Sequence, residues 1–282
     1  MLLRFTKMHG LGNDFMLLDL VTQNFQLRKE HVSLLADRRT GIGFDQLLIA
    51  EPPKDPTMDF GYRIFNADGS EAEQCGNGAR CFVKFVRDRG LTTKSRMTLE
   101  THSGSIECQI ERDGNISVNM GAPILQPEKI PFVADSPGII YDFEIPSVVG
   151  SGMEKIYLSV VSMGNPHAVM TVDDIDTAPV ARLGPLIEKD PRFPARVNVG
   201  FMQVISRNKI KLRVFERGVG ETRACGSGAC AAVVAGRLQG ILDPQVEVSL
   251  TGGDLKISWD GDQQPVFMAG PASRVYEGRL QI

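Results

Sequence analysis

The stretch EAEQCGNGARC at residues 71–81 returns as ETRACGSGAC at 221–230. The return belongs to a longer repeat. A shift of 150 residues lays Arg63-Ile64-Phe65 on Arg213-Val214-Phe215, Glu71 on Glu221, and Cys75-Gly76-Asn77-Gly78-Ala79 on Cys225-Gly226-Ser227-Gly228-Ala229. Further blocks match too: IGFDQLL (42–48) with VGFMQVI (199–205), Gly12-Asn13 with Gly164-Asn165, and VNMGAP (118–123) with VFMAGP (266–271). A period this long excludes a solenoid. It calls for two domains of one fold, meeting across a pseudo-two-fold axis. The Pro- and Gly-rich MGAPILQPEKIP (120–131) marks the boundary. The expected division is residues 1–122 with 272–282, carrying Cys75, and 123–271, carrying Cys225, with the active site in the cleft between them. The tail SRVYEGRLQI (273–282) lies beyond the second repeat and is expected to return to the first domain as a strand.

Locally the chain reads as β-rich with few helices. RMTLETHSGSIECQIERDGNISVNM (96–120) alternates in short runs, with turns at Ser103-Gly104 and Asp113-Gly114. KIKLRVFE (209–216) and VEVSL (246–250) read as strands, and EHVSLLADRR (30–39) as an amphipathic helix. GSGACAAVVAGRLQG (226–240) is helical and apolar on nearly all sides, so it is buried on every face, with Gly240 as its end. NGARCFVKFVRDRG (77–90) starts the same way and ends at Gly90. The fold class is therefore α/β (α+β), each half wrapping short strands around a central helix.

The 282 residues carry a net charge of −3. That leaves no basic field to gather nucleic acid or anionic lipid. No apolar run reaches a membrane span, and MLLRFTKMHG lacks a signal-peptide core. The expectation is a cytoplasmic protein without nucleic-acid or membrane partners. Five cysteines, Cys75, Cys81, Cys108, Cys225 and Cys230, form an odd and sparse set. In a reducing compartment they are thiols, not a disulfide framework. The absence of CxxC and the scatter of the four histidines argue against a metal site.

Cys75 and Cys225 each sit just ahead of a helix's first turn. A helix start carries unpaired N–H groups and partial positive charge, which acidifies a thiol and holds an anion. Doubled across a pseudo-dyad, the motif places two sulfurs on opposite faces of one carbon next to a carboxylate. One removes the α-proton and the other returns a proton. Cys81, Cys108 and Cys230 read as small buried hydrophobes.

NADGSEAEQCGNGARC (66–81) and ERGVGETRACGSGACA (216–231) resemble diaminopimelate epimerase. The resemblance runs from KMHGLGNDF (7–15) through TGIGFDQLL (40–48), MGNPHAV (163–169) and RVNVGF (196–201) to GPASRVYEG (270–278). It implies two similar halves, each a barrel-like sheet around a helix. It also implies a cofactor-independent isomerase, free of pyridoxal phosphate and metal. The implied substrate is diaminopimelate, interconverted between its LL and meso forms in lysine and peptidoglycan-precursor biosynthesis. By the resemblance Cys75 and Cys225 are the acid–base pair. Gly76, Asn77, Gly226 and Ser227 bind the carboxylate at the reacting carbon, and Asn13, Gln46, Asn66, Asn165, Asn198, Glu216 and Arg217 line the site. His167 and Glu216 adjust the thiols, and Tyr276 lies at a homodimer contact. Gln46 has a repeat mate in Gln203. Three rival readings stand beside this one: a proline racemase-like enzyme, which shares the two sulfurs, a dithiol oxidoreductase, and a non-catalytic binding protein.

Overall fold

In a computed structural model the chain is described at residues 2–72, 75–146 and 152–281. It divides into two units, Met1–Asn119 with Ala269–Ile282, and Met120–Met268. The sequence reading places these divisions at 122/123 and 271/272.

Unit 1 contains β1 (Leu2–Gly10), β2 (Asn13–Asp19), α1 (Lys29–Ala36), β3 (Gln46–Glu51), β4 (Phe60–Asn66), β5 (Glu71–Ala72), α2 (Gly76–Asp88), β6 (Arg96–Thr101), β7 (Gly104–Ile110) and β8 (Ile116–Asn119). β1 and β2 form a hairpin, and β2 then pairs parallel with β3. β3 and β4 are antiparallel, β4 carries β5 antiparallel and β6 parallel, and β6, β7 and β8 form a meander. Parallel neighbours need a crossover. The segment holding α1 makes the first, and the segment holding α2 the second.

Unit 2 contains β9 (Tyr141–Pro146), β10 (Met153–Ser162), β11 (Pro166–Thr171), α3 (Val180–Glu188), β12 (Asn198–Ser206), β13 (Lys209–Glu216), β14 (Gly220–Thr222), α4 (Gly226–Leu238), β15 (Gln245–Leu250) and β16 (Gly253–Ser258). The pairing repeats that of unit 1. β10–β11 is antiparallel, β11–β12 parallel across α3, β12–β13–β14 antiparallel, β13–β15 parallel across α4, and β15–β16 antiparallel. β17 (Phe267–Gly270) runs over the division, and β18 (Ser273–Gln281) lies antiparallel along β1. β9 lies antiparallel along β10 in the same way.

Each sheet curls around one helix. α2 packs on β1, β2, β3, β7 and β8, and α4 on β10, β11, β12, β13 and β16. The other face of the first strands is covered as well: Val32 and Ala36 of α1 pack with Leu3, Met16, Leu18, Leu47 and Ile49. This explains why β2 and β3 read as unbroken apolar runs, while β7 alternates buried and exposed. α3 does the same in unit 2, with Leu183 and Ile187 against Val199 and Phe201.

Ten of the thirteen residues of α4 are buried, which its small apolar composition requires. Gly90 and Gly240 follow α2 and α4 with φ of 70° and 74°, the left-handed position that ends a helix. α1 ends sooner than the sequence suggests. The Asp37 carboxylate accepts the N–H groups of Arg39 and Thr40 at 2.8 and 2.6 Å and turns the chain out of the helix.

α3 lies so close to β13 that a Cβ on Gly184 would stand 2.5 Å from the Phe215 ring. Gly184→Ala should therefore destabilise the protein by about 1–3 kcal/mol through overpacking. Urea unfolding of the variant against wild type checks this.

Candidate active site

Both motif cysteines occupy the N-cap of a central helix. Cys75 is extended, with φ −149° and ψ 107°, and its Sγ accepts the Gly78 N–H at 3.3 Å. Cys225 has φ −118° and ψ 107°, and its Sγ lies 3.7 Å from Ser227 Oγ. The first i→i−4 bonds run from Ala79 N to Cys75 O at 2.9 Å and from Ala229 N to Cys225 O at 3.0 Å. Gly76 and Asn77, like Gly226 and Ser227, contribute N–H groups ahead of those bonds, where a carboxylate can be held. The glycine two places into each helix sits against a neighbour, with no room for a Cβ at Gly78 and a tight fit at Gly228. A Cβ on Gly78 would lie 2.5 Å from Tyr62 Oη, and one on Gly228 3.1 Å from Val214 Cγ2.

The repeated glutamate has a structural task. Arg63 grips Glu71 with two bonds of 2.8 and 3.1 Å. Arg213 grips Glu221 likewise at 2.7 and 3.0 Å. Each pair clips the strand that leads into the cysteine loop onto its neighbour, β5 onto β4 and β14 onto β13.

In unit 1 a two-residue turn at Leu11-Gly12, both with positive φ, sets Asn13 at the head of β2. Its Oδ1 lies 3.8 Å from Cys75 Sγ and 3.4 Å from Asn77 Nδ2, and its Nδ2 donates to Asp45 Oδ2 at 2.8 Å. Gln46 and Asn66 face each other across β3 and β4, with Gln46 Nε2 donating to Asn66 Oδ1 at 3.0 Å. The mate Gln203 serves the backbone instead, donating to Asp173 O and accepting from Ile175 N.

In unit 2 Asn198 and His167 are register partners on β12 and β11. Asn198 is buried and its amide is engaged by main chain, Nδ2 donating to Pro166 O at 3.1 Å and Oδ1 accepting Arg217 N–H at 2.9 Å. The Arg217 guanidinium is exposed and bonds to Ala195 O at 2.9 Å. His167 Nε2 lies 3.0 Å from Asn165 Oδ1. Glu216 accepts the Thr222 hydroxyl and stands beside Cys225.

The electrostatics correct one expectation. A thiol at a helix start is expected to be acidified, yet Cys225 is pushed well above its ordinary value. Burial is the chief cause and the Glu216 carboxylate adds to it, while the Gly228 N–H and Ser227 pull the other way. Desolvation and the carboxylate thus outweigh the Gly228 N–H and Ser227. Cys81 and Cys108 are each pushed up to about 12 by burial, which fits inert packing. His167 is lowered to about 3 by burial, with Arg217 nearby adding to the effect, so the ring is neutral at pH 7.

The whole chain is 58% identical to a diaminopimelate epimerase of Pseudomonas fluorescens and 57% identical to one of Azotobacter vinelandii, over the full length of each. The family model for diaminopimelate epimerase matches residues 5–126 and 159–275. The chain belongs to the diaminopimelate epimerase family. Family members are isomerases, and the fold is shared more widely. A PhzF-family phenazine biosynthesis protein of Bacillus anthracis superposes with a TM-score of 0.71 at 18% identity, over all of both chains. A hydroxyproline epimerase of Agrobacterium vitis gives 0.69 at 14% identity, over 99% of this chain and 92% of that one.

Among the described residues no His, Cys, Asp or Glu side chains cluster as metal ligands, and no helix is long and apolar enough to cross a membrane. The sequence reading gave no role to two polar residues within the quoted motifs, Asp45 and the fully buried Arg80. The signal was a break in the repeat: their mates are Met202 and Cys230.

His167 generates a pH prediction. Its folded value lies below the ordinary 6.5, so its contribution is present above that pH and is lost as pH falls toward 3, where only the unfolded ring takes a proton. Between pH 6.5 and 4.5 wild type should lose about 2–3 kcal/mol relative to His167→Gln. Urea unfolding of both proteins at the two pH values measures it, and an unchanged difference would mean a charged or solvated ring.

Proposed function

We propose that the protein interconverts LL- and meso-2,6-diaminopimelate without an organic cofactor or metal, using Cys75 and Cys225 as the two acid–base groups. The observation that carries the reading is the pair of cysteine N-caps at matching places in two units of one topology. Stereoinversion at one carbon needs a base on one face and an acid on the other, and a duplicated motif supplies chemically equal groups. One sulfur as thiolate takes the α-proton, and the other as thiol delivers a proton to the opposite face. The substrate of the other hand uses the pair in reverse. Burial and the Glu216 carboxylate favour the protonated form of Cys225 in the free chain.

The α-proton of an amino acid becomes acidic only if charge developing on its carboxylate is met by fixed dipoles. The first-turn N–H groups of Gly76, Asn77, Gly226 and Ser227 are assigned to that carboxylate. Diaminopimelate has a second amino-acid end. Arg217 supplies a planar fork for the distal carboxylate. Asn66, Asn165 and Glu216, with Asn13 and Gln46, provide the amide and carboxylate groups that hold ammonium and carboxylate in register, while the buried Asn198, its amide taken up by Pro166 O and Arg217 N, sets the base of Arg217. His167 acts on the thiols as a neutral ring. The full-length relatives support this substrate over proline, which has no distal end for Arg217 to bind. The enzyme is assigned to the reducing cytoplasm, where thiols persist. Tyr276, exposed on β18 and edge-on to Phe5 at 5.9 Å, is assigned to contact with a second copy.

Purified reduced protein in heavy water should place deuterium at the α-position of LL-diaminopimelate with no added cofactor, followed by NMR. Turnover of proline alone would overturn the substrate assignment. Cys75→Ala and Cys225→Ala should each lower epimerisation by at least about a thousandfold, as loss of a positioned proton-transfer group does, with unfolding curves close to wild type. Near-normal turnover in either would exclude the pair. Arg217→Lys should raise KM about tenfold or more with a smaller change in kcat, because the charge survives and the fork does not.

A further inference from the structure

We propose that Asp45 and Arg80 are positioning residues that fix the Asn13 amide with its Oδ1 turned to the Cys75 sulfur. The proposal rests on the reading of Cys75 as a reacting thiol. An amide side chain can be turned end for end at little steric cost, exchanging a donor for an acceptor. Here its direction is dictated by the two ends of a chain of hydrogen bonds. Arg80 has only donors, and Nη2 gives one to Asn77 Oδ1 at 3.0 Å. Asn77 must then turn its Nδ2 to Asn13, 3.4 Å from Oδ1. At the other end the Asp45 carboxylate has only acceptors, and Oδ2 takes Asn13 Nδ2 at 2.8 Å. Reversing either amide would set donor against donor or acceptor against acceptor.

Both ends are themselves held. Arg80 is fully buried on α2, and its Nε donates to Pro271 O at 3.2 Å. Asp45 accepts the Asp14 N–H at 3.1 Å and the Arg38 guanidinium at 2.7 Å. Arg38 also binds Asp14, which Lys7 grips from β1 at 2.5 Å. The outcome at Cys75 is a sulfur that receives the Gly78 N–H and meets an acceptor in Asn13, 3.8 Å away. A thiol satisfies both neighbours, whereas a thiolate faces the lone pairs of Oδ1. The same Oδ1 is an acceptor that a substrate ammonium can claim, which would draw that acceptor away from the sulfur.

In Asp45→Asn the Arg38 guanidinium claims the one remaining oxygen and sets the new amide nitrogen against Asn13 Nδ2 at the 2.8 Å contact; turning Asn13 over relieves that clash at the cost of the longer 3.4 Å bond from Asn77, and offers Nδ2 to the sulfur. The other titratable groups around the chain stay in place: Lys7 on β1, Asp14 on β2, Arg38, Tyr62 on β4, Arg80 and Cys81 on α2, and Cys108 on β7. The experiment is alkylation of the reduced full-length protein by iodoacetamide at pH 7, with rates read for each cysteine by peptide mass spectrometry. Cys75 should react roughly three- to tenfold faster in Asp45→Asn than in wild type, the worth of one exchanged hydrogen bond, with Cys81 and Cys108 unchanged. The transposed double variant Asn13→Asp with Asp45→Asn restores an acceptor toward the sulfur and should return the rate to the wild-type level or below it. An unchanged Cys75 rate in Asp45→Asn, a parallel rise at Cys81 and Cys108, or no reversal in the transposed protein would each overturn the proposal. Alkylation needs no substrate, so a wild type without epimerase activity would sink the functional reading and leave this result standing.

Discussion

The candidate site depends on a sulfur standing where a helix ordinarily carries an oxygen. N-cap positions favour Ser, Thr, Asp and Asn because their oxygens satisfy the first-turn N–H groups. Sulfur is a weaker acceptor than oxygen, and here Cys75 Sγ takes the Gly78 N–H at 3.3 Å. Helix stability is given up to place a reactive atom at the positive end of a dipole. Burial makes up the difference. α2 and α4 are each enclosed by a curled sheet, so neither depends on its cap to persist. The enclosure then dictates sequence. Gly78 is small because Tyr62 and Leu48 close over it, and Tyr62 in turn donates its hydroxyl to the Cys75 carbonyl.

Duplication produced like backbones and unlike electrostatics. The last residue of β4 is Asn66, and the equivalent last residue of β13 is Glu216. An amide in one unit is thus a carboxylate in the other, and that carboxylate helps hold the proton on Cys225. Arg80 against Cys230 and Asp45 against Met202 diverge in the same manner. The proposed exchange of roles between the two cysteines does not require identical surroundings.

Much of this was legible in the chain. The repeat implied two units of one topology, because Cys75 and Cys225 recur with their clipping arginines and glutamates in fixed order. β13 matched KIKLRVFE residue for residue, since one buried face imposes alternation. α3 went unread. It contains Pro185 and Gly184, and its packing against Phe215 and Phe201 overrides that weak propensity. Cys225 shows a second limit. The dipole argument is local and readable, whereas desolvation depends on what the fold stacks over the sulfur. Arg80 is a third: nothing in GNGARCFV announces a fully buried guanidinium, because its acceptors, Asn77 Oδ1 and Pro271 O, include one far along the chain.

The polar lining of unit 1 gains direction from charged residues of the quoted motifs to which the sequence assigned no role. Ser70 donates its hydroxyl to Asp68 at 2.6 Å and so accepts from Asn66 Nδ2 at 3.1 Å. Asn66 therefore turns Oδ1 to Gln46 Nε2, and the relay ends on Gln46 Oε1. Asp45 imposes the same order on Asn13, whose outward atom is again an oxygen. Carboxylates placed one step behind the amides leave acceptors in front, the polarity an ammonium group requires. Unit 2 is built with the opposite sense, since Asn198 spends its amide on Pro166 O and Arg217 N and thereby sets the base of a side chain that only donates. The substrate proposed above, a zwitterion with two amino-acid ends, calls for both polarities. A neutral amide can supply either one, and it becomes selective only when a fixed charge behind it removes the choice.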